Sequence, residues 1–286
     1  MLSDGFLHRL DALRLTARSP AQGGAGGLRR SKALGTSVEF SDFREYAPGD
    51  DLRRLDWNAY ARFDRLFLKL FMEEQETQVN LLVDASASMG ERDKWPFARD
   101  LAALLAYLAL RGGDRVTMYA LGGGERHSAS LSGRAGYMRA AEFLDALTPA
   151  GETRLCADIA RLPLRPGRGI SLLITDLMSP DGYEKALQSL QYRRQEAALL
   201  HVLSPWEMNP ELQGMVRLVD SETGEERELS VTGSLLESYH RALSDLLRGA
   251  ERFCHGRGMP YLRLTSDMDL EKEALRALSA SGLVEA

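Results

Sequence analysis

The sequence predicts an α/β protein with a doubly wound, mostly parallel sheet, because two kinds of segment alternate along the chain. Short, fully apolar runs such as residues 79–83 and 170–174 have the composition of strands that are buried on both faces. Longer segments with apolar residues at helical spacing, such as residues 97–110, separate these runs. Since parallel strands require crossover connections, this alternation predicts a parallel sheet that carries helices on both faces.

The remaining elements extend this pattern to both ends of the chain. Further strands are predicted at 116–121, 197–203 and 261–264, and helices at 6–18, 136–147, 153–162, 183–194, 235–253 and 269–281. The alternation breaks at residues 205–232, where two short strands flank a turn and predict a β-hairpin on the rim of the sheet. We therefore expect an N-terminal extension over residues 1–77 and an α/β domain over residues 78–286 that contains the hairpin as an insertion.

Composition and charge restrict the classes of function. Of the 286 residues, 44% are apolar and 27% are charged, as in an ordinary soluble globular protein. The net charge of −5 disfavours nucleic-acid binding as the main activity. The two cysteines, Cys156 and Cys254, do not suggest a disulfide framework and fit a reducing compartment. There is no signal segment and no apolar run of roughly 20 residues, so we expect a cytoplasmic protein without direct membrane insertion.

Side chains that carry oxygen follow the predicted strands. Asp84, Ser86 and Ser88 follow the first buried strand, Asp176 follows a second one, and Thr153 stands at a loop-to-helix entrance. The same residue types also serve as turn residues and helix caps. Because ligands bind at the carboxyl edge of a parallel sheet, we expect these five side chains to meet there. Two carboxylates and three hydroxyls suit a hard cation such as Mg²⁺, Mn²⁺ or Ca²⁺, and they leave coordination positions open for water or for a partner's acidic group.

This arrangement resembles the metal-ion-dependent adhesion site of von Willebrand A domains. The shared pattern is an Asp-x-Ser-x-Ser motif, here at residues 84–88, followed by a distant Thr and a later Asp, here Thr153 and Asp176. The resemblance implies that the three hydroxyls ligate the metal directly, and that the two carboxylates ligate it directly or through water. One departure is Ala87, where many adhesion domains carry Gly.

A charged segment that is also rich in aromatic residues precedes the predicted domain. Residues 39–57, EFSDFREYAPGDDLRRLDW, resemble the signature of the bacterial family called domain of unknown function 58. The match continues through Ala61-Arg62, Lys69 and Glu73-Glu74 and covers nearly the whole chain, with Ser37 as a departure from a usual Gly. The family typically joins this signature to a von Willebrand A domain. Its members often sit beside genes for MoxR-type AAA+ ATPases, which implies a role as protein partner of such an ATPase or of its client.

The signature, residues 39–62, has two interpretations that stay open. Its arginines are Arg44, Arg53, Arg54 and Arg62, and its acidic residues include Asp50, Asp51 and Asp56. Bidentate pairs between these groups would fix the segment onto the following domain, with Trp57 and Tyr60 as buried anchors. Alternatively, some of the arginines face outward and form a docking surface for a partner.

We expect a non-enzymatic, metal-dependent protein-interaction module, and two alternatives stay open. A Mg²⁺-dependent phosphohydrolase would use Asp84, but the second acid that such enzymes need two residues later is replaced by Ser86. A scaffold with a vestigial site would bind no ion. The glycines at 122–124 lack the Lys-Ser/Thr of a phosphate loop and predict only a turn, and the five histidines are scattered.

Overall fold

A computed structural model describes residues 2–16, 39–47, 50–52, 55–72, 76–122, 126–165 and 167–285. Outside these described residues lie Ser37, Pro48, Gly49, Arg53, Arg54, Glu73 and Glu74 of the signature match. The chain forms two compact units. The first consists of Met1–Ala21 together with Thr77–Ala286, and the second is Gln22–Glu76.

Helices and strands alternate through the first unit as the sequence predicts. The helices are α1 (Asp4–Leu10), α2 (Trp57–Phe63), α3 (Lys94–Arg111), α4 (Gly133–Asp145), α5 (Leu155–Arg161), α6 (Glu184–Tyr192), α7 (Pro205–Met208), α8 (Gly233–His255) and α9 (Leu275–Ala280). The strands are β1 (Arg14–Leu15), β2 (Glu39–Glu45), β3 (Phe67–Met72), β4 (Gln78–Asp84), β5 (Arg115–Leu121), β6 (Arg126–His127), β7 (Gly169–Thr175), β8 (Gln195–Leu203), β9 (Gly214–Val219), β10 (Glu226–Val231), β11 (Tyr261–Thr265) and β12 (Val284–Glu285). Two short turns of other helix types lie at Ser88–Gly90, a 3₁₀ turn, and at Leu270–Ala274, a π turn that precedes α9.

Six strands of the first unit form one sheet in the order β11-β8-β7-β4-β5-β6. Neighbouring strands are parallel except for β5 and the two-residue edge strand β6, which are antiparallel. This architecture confirms the predicted fold class. From β4 the chain moves to β5 on one side and then returns to β7 on the other, so the order reverses between β4 and β7. In open α/β sheets, ligands bind in the crevice at the carboxyl ends of such strands.

Helices cover both faces of this sheet. Successive residues of a strand point to opposite faces, so Leu81 and Val83 pack in one cluster with α3 and α4, while Leu82 packs in another with α5, α6 and α8. Because both faces are covered, the central strands are apolar throughout, as the sequence predicts.

The first helix belongs to the α/β unit. Phe6 and Leu10 are buried in the same cluster as α3. The helix ends at Leu10, well before the predicted end at residue 18, because the chain then extends and pairs Arg14–Leu15 with Val284–Glu285 near the C-terminus. We therefore propose that the N-terminal extension, predicted over residues 1–77, begins after this helix.

The predicted rim hairpin is present at β9 and β10, which form an antiparallel two-stranded sheet of their own. Most of its residues are exposed. No helix within the described ranges is long and apolar enough to cross a membrane.

The second unit is built on an antiparallel hairpin of β2 and β3 with a register shift between Phe40 and Asp42. Helix α2 begins at Asp56, whose carboxylate accepts hydrogen bonds from the backbone N–H groups of Asn58 and Ala59, at 2.8 and 3.1 Å. Asp56 therefore caps a helix, a role that the arginine-pairing interpretation did not include.

The charged signature is only partly explained by pairing inside this unit. Arg44 donates to Asp50 Oδ1 at 2.7 Å, and the backbone N–H of Ala47 donates to Asp50 Oδ2 at 2.8 Å. Trp57 and Tyr60, predicted to be buried anchors, are 65% and 42% exposed. Both lie on a helix of seven residues that has no buried residue, so the anchoring interpretation was wrong for these two side chains.

Candidate metal centre

Asp84 is the centre of a polar cluster at the switch point of the sheet. It ends β4 and is only 2% exposed. The hydroxyl of Thr153 donates to Asp84 Oδ1 at 2.7 Å, and the hydroxyl of Thr175, at the end of β7, donates to Asp84 Oδ2 at 2.6 Å. The backbone N–H of Ser86 also donates to Oδ1, at 3.1 Å. Side chains that are 69 and 91 positions apart in sequence therefore meet on one carboxylate.

Ser86 and Ser88 lie beside this carboxylate. Their hydroxyl oxygens are 3.0 Å apart. Adjacent ligands of an octahedral Mg²⁺ at about 2.1 Å would also be about 3.0 Å apart, so this spacing fits two ligands of one ion. Ser88 begins a 3₁₀ turn that the fully buried Met89 anchors in the core.

The loop that carries Thr153 is tied to both neighbouring loops. The backbone N–H of Ala87 donates to Gly151 O at 2.9 Å. On the other side, the Ser179 hydroxyl donates to Thr153 O at 3.1 Å. Since the hydroxyl of Thr153 gives its proton to Asp84, its lone pairs are left for a cation.

Gly122 is a part of the site that sequence reasoning missed, because the glycines at 122–124 were interpreted only as a turn. It directly follows β5 and has a φ of +80°. A Cβ at this position would lie 2.4 Å from Thr153 Oγ1 and 3.2 Å from the backbone nitrogen of Ser86. The position therefore requires glycine for both its backbone conformation and the close approach of Thr153. The available signal was a glycine immediately after a buried strand, at the edge where ligands bind.

Asp176 is paired with a buried lysine that sequence reasoning also missed. Its Oδ2 accepts from Lys94 Nζ at 2.7 Å, and its Oδ1 accepts from the backbone N–H of Met178 at 2.9 Å. Lys94 also donates to Glu207 Oε1 at 2.6 Å and is only 1% exposed. Burial by itself would lower the pKa of Lys94, but the charges of Asp176 and Glu207 outweigh it and raise this pKa. The lysine is therefore a buried cation between two carboxylates.

Two local features place Lys94 and Glu207. Lys94 is the first residue of α3, after Asp93, which was predicted to cap the helix but makes no side-chain capping bond. A lysine in the first turn opposes the helix dipole, which was an unused sign of a specific partner. Glu207 belongs to a capping box at the start of α7, where its Oε2 accepts from Ser204 N at 2.6 Å. This bond fixes the carboxylate so that its other oxygen faces Lys94.

The electrostatics of the centre favour a further cation. Burial and the charge of Asp176 raise the pKa of Asp84 to about 6, although the hydrogen bonds from Thr153, Thr175 and Ser86 oppose this shift. A raised carboxylate pKa means that the ionised form lacks sufficient positive charge nearby. A divalent ion beside Asp84 would supply that charge.

A buried histidine fixes the main chain at Asp176. His201 on β8 is fully buried, and its Nε2–H donates to Asp176 O at 3.0 Å, while its Nδ1 accepts from the Tyr261 hydroxyl at 3.0 Å. Burial lowers the pKa of His201 to about 4, so the ring is neutral at physiological pH. Leu177, the next residue after Asp176, has a φ of +61°, a strained conformation for a branched side chain.

The structure thus brings the five sequence-predicted residues to one edge of the sheet. Asp84, Ser86 and Thr153 are linked directly, Ser88 is linked through Ser86, and Asp176 acts on Asp84 through its charge. Across the described ranges, no three His, Cys, Asp or Glu side chains form a cluster suited to a metal. An ion at this edge would therefore depend on the hydroxyl oxygens. Of the predicted partner-binding arginines, Arg44 and Arg62 are exposed in the second unit, and Arg53 and Arg54 lie outside the described residues.

A mostly parallel, doubly wound α/β unit with hydroxyls and carboxylates at its switch point defines the class of this protein. The model of the family described as protein of unknown function DUF58 matches residues 42–246. The chain belongs to this family.

Similar proteins extend over most of the chain. Uncharacterized protein Rv1480 of Mycobacterium tuberculosis is 28% identical over 281 residues, which cover 95% of this chain and 88% of that protein. The same figures hold for uncharacterized protein Mb1516 of Mycobacterium bovis. Among solved structures, the conserved hypothetical protein BatB from Bacteroides thetaiotaomicron is 15% identical, covers 72% of this chain and 98% of its own, and superposes with a TM-score of 0.44. At this level the structural similarity supports no conclusion about function.

Proposed function

We propose that the protein is a non-enzymatic interaction module that binds a partner protein through one divalent metal ion. Asp84, Ser86, Ser88, Thr153 and Asp176 would hold Mg²⁺, or Mn²⁺ or Ca²⁺ in its place. The observation that carries the proposal is the convergence of three hydroxyls around the buried Asp84, with the Ser86 and Ser88 oxygens 3.0 Å apart.

The donor set determines what such an ion would do. Hydroxyl oxygens are neutral ligands, and all the donors are the hard oxygen type that Mg²⁺ and Ca²⁺ prefer. Lys94 already neutralises part of the negative charge of Asp176. An ion in this site would keep much of its positive charge and would attract a carboxylate from a partner. The metal would therefore bridge the two proteins.

The family resemblance supports a MoxR-type AAA+ ATPase, or a client of that ATPase, as the partner. The arginines Arg44, Arg53, Arg54 and Arg62 remain a proposed second contact with that partner. Arg44 is 44% exposed although it pairs with Asp50, so it has a face left for a docking surface. Nucleic acid is disfavoured as a partner because the net charge is −5.

The phosphohydrolase alternative is less well supported by the geometry around Asp84. A nucleophilic carboxylate must reach the substrate, whereas Asp84 is 2% exposed and both of its oxygens accept hydrogen bonds. The residue two positions later is Ser86, which is no general acid.

Metal-dependent binding of a purified MoxR-type ATPase from the same organism tests the proposed function. In Mg²⁺ buffer the wild-type chain should retain the ATPase in a pull-down, and excess chelator or Ser88→Ala should abolish retention because each removes the bridging ion. The matched control is Ser238→Ala, which changes an exposed serine on α8 whose hydroxyl donates only to Ser234 O. Retention that survives both chelator and Ser88→Ala would contradict a metal bridge.

A further inference from the structure

The tip of the rim hairpin presents one acidic side chain in a fixed turn. The turn joins β9 to β10, and Asp220 organises it, since its Oδ1 accepts from the backbone N–H groups of Glu222 and Thr223 at 2.9 and 2.8 Å. The carbonyl of Asp220 accepts from the Gly224 N–H at 2.9 Å. Glu222 is therefore held at the tip by the turn itself.

Glu222 differs from its neighbours in where its carboxylate lies. The residues around it in the turn and in β10 are exposed, whereas Glu222 is half-buried. Its Oε1 is buried and has no hydrogen-bond partner in the described part of the chain. Buried carboxylate oxygens normally have a donor, so this oxygen lacks an expected partner.

The surroundings of Glu222 are those of the metal centre. Burial, and then the charge of Asp84, raise the pKa of Glu222 to about 7; the nearby Ser88 hydroxyl opposes this shift, and Asp176 and Glu152 add to it. The hairpin thus holds a third carboxylate beside Asp84 and Asp176. Lys94 cannot neutralise it, because its hydrogen bonds go to Asp176 and Glu207. Like charges at such short range are unfavourable unless a cation lies between them.

The three carboxylates at this edge differ in the bonds they already make. Both oxygens of Asp84 accept hydrogen bonds, and so do both oxygens of Asp176. Glu222 Oε1 is the buried oxygen left without a donor among the described residues. It lies close to Ser88, one of the three proposed hydroxyl ligands.

We propose that Glu222 is the chain's own carboxylate ligand for the metal ion and occupies the coordination position that a partner's acid would otherwise take. This inference rests on the proposed function, since it needs the ion. It makes the hairpin a built-in competitor: the partner's carboxylate binds only when the tip moves away. The partner site would then be regulated by the position of residues 214–231.

Isothermal titration with Mn²⁺ tests this role on the full chain. Glu222→Gln keeps the shape of the side chain but removes its charge, so the Kd for Mn²⁺ should rise about tenfold or more. The matched control is Glu228→Gln, an exposed glutamate on the same hairpin, which should leave the Kd unchanged. Glu222→Ala should bind Mn²⁺ as weakly as Glu222→Gln, and added acetate should strengthen its binding, because a free carboxylate can fill the vacated position. Acetate should not strengthen binding to the wild-type chain.

Hydrogen exchange supplies a second readout. Mn²⁺ should slow amide exchange in residues 214–231 of the wild type and of Glu228→Gln, but not in Glu222→Gln. If the wild type binds Mn²⁺ and Glu222→Gln binds it equally well or better, with the hairpin equally protected, the role of Glu222 is overturned and the metal site stands. If the wild type binds no Mn²⁺, both proposals fail.

Discussion

Lys94→Met should lower the free energy of unfolding by roughly 3–5 kcal/mol, the cost of removing one partner from a buried ion pair. Methionine has a similar length and fills the same space, so the loss would come from charge and not from a cavity. Without Lys94, Asp176 and Glu207 would be left without the cation that now lies within 2.7 Å of both. Urea denaturation of the metal-free chain measures this change.

The matched control for this substitution is Lys185→Met, which changes an exposed lysine on α6 and should alter stability by less than about 0.5 kcal/mol. A second variant separates the pair from the local fold. Adding Glu207→Gln to Lys94→Met removes one of the stranded charges, so it should recover part of the loss and give a non-additive cycle. A loss below about 1 kcal/mol for Lys94→Met would mean that the buried triad contributes little to stability.

Asp84→Asn should abolish stabilisation by Mg²⁺, the second large effect. For the wild type, a ligand at a hundred times its Kd should add about 2.7 kcal/mol, a rise in Tm of roughly 5–10 °C for a unit of this size. Asparagine keeps an oxygen for Thr153 and removes a buried charge, so the metal-free variant should be no less stable than the wild type. Asp245→Asn, at a well-exposed aspartate on α8, is the control and should keep the full shift.

The same aspartate gives this stabilisation a pH dependence of defined sign. The pKa of Asp84 is raised to about 6 in the folded chain, above its ordinary value of 3.8. Between these values the folded chain holds a proton that the unfolded chain has lost, so this group's contribution to metal-free stability falls as pH rises. A metal ion competes with that proton, and the shift caused by Mg²⁺ should therefore grow between pH 5 and pH 7.5. A shift independent of pH, or one that persists in Asp84→Asn, would remove Asp84 from the site.

The parts of the fold and site that the sequence predicts are those set by local pattern. The apolar run before Asp84 marks a strand buried on both faces, and strand ends bring Asp84 and Asp176 to one edge of the sheet. Ser86 and Ser88 follow from their place directly after β4. Thr153 required the resemblance, since a single threonine in a loop has no periodic signal of its own.

The parts that were missed depend on contacts between distant segments. Lys94 and Glu207 are 113 positions apart, and no local pattern couples a helix start to a capping box in a later loop. Glu222 lies in a turn that predicted only a hairpin, and its approach to the centre depends on how the hairpin folds over the rim. The first helix was predicted too long because pairing of residues 14–15 with the C-terminus overrides its helical pattern. Local propensity loses to tertiary pairing at such places.

Anomalous diffraction from crystals soaked in Mn²⁺ tests the central claim most directly. The account predicts an anomalous peak at the carboxyl edge of β4 and β7, bounded by the oxygens of Ser86, Ser88 and Thr153, with Lys94 still between Asp176 and Glu207. An empty edge in crystals that remain ordered at saturating Mn²⁺, or a peak elsewhere on the molecule, would contradict it.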